Sequence, residues 1–426
     1  MGRRKNFAER ENEQGIVIVL VAVVMLFVVG AMAALSIDVA TIYTARSEAQ
    51  LAADGAALAG ARVLANSGMT SDTTGGLTAS AEALAQTVAT QVAQNNLVGG
   101  TAAGVVVSFA GSTTNPSVTV KVQRTDLPTF FARILGTRFI TVAASATAEA
   151  YNPSGANALT GTTIPVAPSC VKPWLLPNMD PRDLSGATAI FSPTTGAITA
   201  PPGLLGWTAP PSPTRLKLAC GATGTVHSVD CTGPPPQPWQ YYPGSPASFP
   251  PPTQALPACA PALTTPYQES IAGCIQTPIA CNSNVLIDTP AYPNRISETR
   301  DAVNCLIHSA GNGGDQVDFA NAPSPPFQFL AGDDNPIPGL AGSDVMVSDS
   351  LVTVPVFDSS GGVTSTVTIV GFVQLFLAPQ GRAVPPSGNM RTAVINMAGC
   401  GNVSIGQQPI LGNGASPVAV RLISPP

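Results

Sequence analysis

Apolar positions run uncharged from 16 to 37, and the chain then passes, without a proline, into an alanine-rich stretch that reaches 65. Those first twenty-two residues, at about 1.5 Å of helical rise each, span roughly 33 Å, enough for the hydrocarbon core of a bilayer. Beyond 37 the pattern changes rather than stops. Ile42, Ala45, Ala49, Ala52, Ala56, Ala59 and Val63 recur at alternating intervals of three and four, while Arg46, Glu48, Asp54 and Arg62 fall off that line. The spacing predicts one helix continuing to 65 with a narrow seam of small side chains. Alanine buries little area, so such a seam holds by letting backbones approach closely, against the protein's own sheet or another subunit.

Helical composition returns from 77 to 95 and ends at Gly99-Gly100. Two β-branched runs, 104–110 and 117–124, flank a turn cluster at 111–116 and predict a hairpin. Asp126 ahead of the apolar run 127–135, with Gly136 behind it, predicts a short capped helix, and 137–151 alternates as a third strand. From 170 to about 292 prolines are dense and regular elements are hard to place, so loops and short strands tied by disulfides are expected. One clear helix is predicted over 297–310, with Ser297 and Arg300 at its start; 344–358 and 365–379 alternate as strands.

Charge orients the apolar run. Arg3, Arg4, Lys5 and Arg10 precede it and only Arg46 follows closely, which predicts a cytoplasmic N-terminus and a translocated remainder. All eight cysteines, Cys170, Cys220, Cys231, Cys259, Cys274, Cys281, Cys305 and Cys400, lie in that remainder, as expected of disulfides in an oxidising compartment. Spacing alone does not select a pairing. A rival reading makes the same run a cleavable signal peptide cut near Ala31-Met32-Ala33, releasing a secreted structural or adhesive protein. The run is longer than the about 7 to 15 residues of a typical signal core, which favours the anchor.

Composition narrows the function further. Charged residues are only 10% of the chain, against about 25% in ordinary soluble domains. A net charge of −5 with no basic patch beyond the N-terminal tail argues against a nucleic-acid partner. With only His227 and His308, no G-x-S-x-G and a displaced serine in 401–406, an extracellular hydrolase has little support and no catalytic residue is assigned. No C-x-x-C occurs, which disfavours zinc. Asp315, Asp318, Asp333 and Asp334, beside Gly-rich turns, are weak calcium candidates, outweighed by solvated turns. Packing against proline loops outweighs a glycan or partner surface for Trp174, Trp207, Trp239, Tyr241 and Tyr242. No cofactor is expected.

Gly15, Asp38, Tyr43, Arg46, Gln50, Ala53-Asp54 and Ala56-Ala57-Leu58-Ala59 together resemble the N-terminal segment of the TadG-like (TadE/TadG) proteins of Tad, or Flp, pilus assembly. The likeness covers about 10–150, with Gly55 in place of the commoner alanine. It implies a bacterial envelope protein in the cytoplasmic membrane, pseudopilin-like or anchoring, whose partners are other pilus-assembly or envelope proteins. Two departures qualify it. Type IV pilins are cut after a glycine and carry a glutamate five residues on, where this chain has Leu20; and Asp358-Ser359-Ser360-Gly361 lacks the spacing of a von Willebrand A metal site. The expected architecture is α+β: a cytoplasmic tail (1–15), a transmembrane helix (16–37), a pilin-like α+β unit (38–151), a linker (152–169), and a Pro/Gly-rich, disulfide-containing, mostly β extracytoplasmic domain (170–426). The expected function is non-enzymatic support of pilus assembly or adhesion.

Overall fold

Helix α1 (Lys5–Asn66) runs unbroken for 62 residues. It starts ahead of the apolar run because 5–14 contains neither proline nor glycine to stop it. The computed structural model describes residues 5–155, 166–183, 188–199, 202–206, 214–218, 239–256, 258–288, 295–309, 311–400, 410–412 and 416–423. Within α1 the large apolar side chains of 16–37 are all exposed, up to 74% at Leu26 and Phe27, and the helix is long and apolar enough to cross a membrane. Mostly β structure follows, divided with α1 between two compact units: 1–56, 89–107 and 120–146 in one, 57–88, 108–119 and 147–426 in the other.

The first unit is built from α1 to residue 56, the last turns of α2 (Thr78–Asn95), and parts of β1 (Gly104–Gly111), β2 (Pro116–Pro128) and β3 (Phe139–Tyr151). The predicted helix over 127–135 is not formed. Pro128 disfavours helical backbone at Leu127, so β2 runs on and buries Leu127. Asp126 consequently caps nothing; its carboxylate takes the Nε–H of Arg124 at 3.1 Å. Only a 3-10 turn, Ala132–Leu135, remains, closed by Gly136. Strand order is β1-β2-β3-β15, and the last pairing, β15 (Ala419–Ile423) antiparallel onto 147–151 of β3, lies wholly within the second unit.

The second unit centres on a ring of strands. Its members are β5 (Trp174–Pro177), β6 (Thr214–Leu218), β7 (Trp239–Pro243), β11 (Leu351–Phe357), β12 (Thr366–Leu377) and β13 (Met390–Gly399). Pairing runs β11-β5-β7-β6-β13-β12, and β12 pairs back with β11 over 351–357, so the circuit closes and leaves no long open edge. β8 (Asn284–Leu286) adds to the far end of β12. Every residue of β11 is buried, as expected of a strand covered on both faces. Two short pairs complete the β structure: β4 (Val166–Pro168) with β14 (Ile410–Gly412), and β9 (Gln316–Val317) with β10 (Phe329–Leu330).

Alternate residues of the ring, including Trp174, Leu176, Trp239, Tyr241, Val352, Val354, Val373 and Leu375, join one apolar cluster with Tyr267, Ile271, Ala302 and Val303 from two helices. Helix α3 (Pro266–Ala272) forms in a proline-rich stretch where loops and short strands are expected. Thr265 and Gln268 nucleate it by capping each other, with Pro266 preset at its first turn. Helix α4 (Arg295–Leu306) starts two residues earlier than predicted, at Arg295, which is ion-paired to Asp288 at 2.8 Å and to Glu298. Three disulfides close loops here: Cys170–Cys274, Cys259–Cys305 and Cys281–Cys400. Cys220 and Cys231 lie outside the described residues.

Candidate functional site

Small side chains bring helices together in the first unit. Ile42 is half-buried, while Ala45, Ala49, Ala52 and Ala56 of α1 are at most 1% exposed within this single chain, as are Ala89 and Ala93 of α2. The helices run antiparallel, since Gly55 faces Val92 while Glu48 accepts the Gly99 N–H at 2.6 Å. A Cβ added at Gly55 would meet Val92 Cγ1 at 3.9 Å, an ordinary contact. In the second unit the same periodicity continues through Ala59 and Val63, both under 9% exposed.

Asp38, the first residue beyond the apolar run, holds the β2–β3 connection. Its carboxylate accepts the backbone N–H groups of Phe130 (2.8 Å), Phe131 (3.0 Å) and Ala132 (2.6 Å). It therefore caps the 3-10 turn that Asp126 does not. Burial works to raise the pKa of this carboxyl, but the three N–H donors outweigh it and leave the value below the ordinary one.

At the other end of α1, a buried polar cluster joins the helix to the ring within the second unit. Thr353, Gln374 and Asn396 occupy one row across β11, β12 and β13, and all three are fully buried. Gln374 donates to Asn66 Oδ1 at 2.9 Å; Asn396 Nδ2 donates to Ala65 O at 2.6 Å and Thr70 Oγ1 at 2.7 Å. Ser71 donates to Met397 O at 2.6 Å and also bonds Asn396 Oδ1, and Asn152 reaches Met397 O at 2.8 Å. Gly68 permits this close approach: its φ is +80°, and a Cβ there would lie 2.8 Å from Ile395 O. These amides belong to no motif that the sequence singles out. The available signal was an amide inside an apolar run, Gln374 between Val373 and Leu375 and Asn396 between Ile395 and Met397, because a buried amide must find partners.

The remaining candidates are scattered. Asp315 is buried and accepts from Gly332 N (2.8 Å), Asn335 Nδ2 (3.0 Å) and Ser348 Oγ (2.6 Å); Asp318 accepts from Asn321; Asp333 and Asp334 are exposed. Among the described residues no group of three or more His, Cys, Asp or Glu is placed to hold a metal ion. His308 Nε2 lies 2.9 Å from Asp349, whose hydrogen bond raises the imidazole pKa; His227 and Trp207 lie outside the described residues. Trp174, Trp239, Tyr241 and Tyr242 are buried, and burial pushes the Tyr242 hydroxyl up to about 12. Lys172, lowered by burial to about 7, donates to Ile271 O (2.6 Å) and Gly273 O (2.9 Å).

Residues 15–63 match the family model described as putative Flp pilus-assembly TadE/G-like. That segment contains the apolar run, Asp38 and the alanine seam to Val63. No curated protein and no solved structure matches the chain.

Proposed function

We propose that this protein is a single-pass component of the bacterial cytoplasmic membrane, N-terminus inside, that supports Tad/Flp-type pilus assembly or surface attachment without catalysing a reaction. The observation that carries this reading is the match over 15–63, falling on a helix whose exposed apolar part is long enough for a bilayer. The buried seam and the polar cluster at the helix end support a stationary role, because they commit the rest of α1 to this chain's own core rather than to a sliding helical stack. Leu20, where a pilin carries glutamate, points the same way. Its partners are then other pilus-assembly or envelope proteins, met through the extracytoplasmic part of the chain. Deleting the gene and restoring it on a plasmid tests the role: pili and surface attachment fall and return. Unchanged pili and attachment in the deletion strain contradict it.

A further inference from the structure

Among the described residues from 15 onward, the exposed phenylalanines fall in two places: Phe27 in the apolar run, and Phe130, Phe131 and Phe139 around the β2–β3 connection, at 67%, 37% and 60% exposure. Elsewhere the aromatic side chains of the β-rich unit are predominantly core. The connection is also fixed in depth. Asp38 follows the last residue of the apolar run directly, and its carboxylate grips the backbone of Phe130, Phe131 and Ala132 within 3.0 Å. Two exposed arginines, Arg133 and Arg138, belong to the same connection and carry no ion pair among the described residues. Tyr43, 78% exposed, stands about 7.5 Å further along α1 by helical rise.

We infer that the β2–β3 connection is a second membrane contact, its phenylalanines seated among the lipid headgroups and its arginines on lipid phosphates, held at that depth by Asp38. The inference rests on the reading of 16–37 as a membrane span and holds for either orientation of it. Solvent-facing aromatics next to unpaired arginines at the end of an apolar span match the chemistry of an interfacial segment, which buries an apolar face shallowly and leaves cations at phosphate level. The carboxylate suits this place, since it meets the three N–H groups of the turn where water is scarce. The contact would fix the rotation of α1 about its own axis, which a lone span leaves free.

The test uses the full chain in vesicles of phosphatidylcholine and phosphatidylglycerol that carry bromine either near the headgroup or near the acyl terminus. Phe130→Trp and, separately, Phe27→Trp each introduce an indole whose quenching reports depth, after subtraction of the emission of the unsubstituted chain. The expected result is that headgroup-proximal bromine quenches the indole introduced at position 130 and terminal bromine quenches the one at position 27. Adding Asp38→Asn to Phe130→Trp should restore the emission from position 130. Quenching at position 27 with none at position 130 overturns the inference and leaves the span intact, and shielding of position 130 from aqueous iodide in that case assigns the surface to a protein. No quenching at position 27 overturns the span reading and the inference with it. Phe139→Trp replaces Phe130→Trp should the latter fail to fold, with the same outcomes.

Discussion

The two ends of the part of α1 that follows the apolar run are held by opposite chemistry. At Asp38 a single charge meets three backbone N–H groups of a short turn. At Asn66 neutral amides and hydroxyls interlock with a fully buried row on the strand ring. The first arrangement depends on one titrating group; the second has no titrating group and shares its hydrogen bonds among several side chains. A charge holding a small turn can be released by pH alone, whereas a buried amide cluster yields only to substitution or global unfolding. Between them the alanine seam uses neither charge nor polar bonds and is sensitive to volume.

The largest effect is expected at Asn396. Asn396→Leu removes the side-chain donor to Ala65 O, leaves Thr70 Oγ1 only the longer bond from Asn152 at 3.3 Å and takes away an acceptor of Ser71, so the β-rich unit should lose about 3 kcal/mol of stability, as buried groups deprived of partners cost. Denaturant unfolding followed by the buried Trp174 and Trp239 reads it, and a neutral result would show that the cluster is not what joins helix to ring. Next, Ala52→Leu should cost about 1–3 kcal/mol by overpacking. Glu48→Ala should cost less, although it removes the bond to Gly99; equal costs would refute the seam. Gly55→Ala has the opposite sign: the space beside Val92 admits a methyl, so the change should stabilise the helix by about 1 kcal/mol in thermal melts.

The smallest effect is a pH dependence confined to the Asp38 end. Its folded pKa lies below the unfolded value of about 3.9. The stabilisation is therefore complete above the unfolded value and disappears as pH falls through the folded one. Hydrogen exchange at Phe130, Phe131 and Ala132 should accelerate in that acid window beyond the intrinsic trend. The amides of 65–71 should not. Matching acceleration at both ends would remove the contrast.

Local periodicity made α1 and α2 legible, because helix spacing repeats within a few residues. The Asp38 grip was not legible, since its donors lie 92 to 94 residues downstream, and Asp126, one residue before an apolar run, offered a nearer but false cap. Pro128 held the clue that the backbone there stays extended. The strand ring was half legible: β11 and β12 alternate clearly, while β13 was missed, and β5, β6 and β7 are four or five residues each inside a proline-rich stretch. β15 joins β3 from the far end of the chain, which no local pattern can announce.

The proposed role requires α1 to remain whole, from a span in lipid to its buried end against the ring. N-terminal sequencing of the native protein recovered from washed membranes tests this most directly. The expected result is a start upstream of Ile16, in the membrane fraction. A start at or after Ala34, in a soluble fraction, would contradict it.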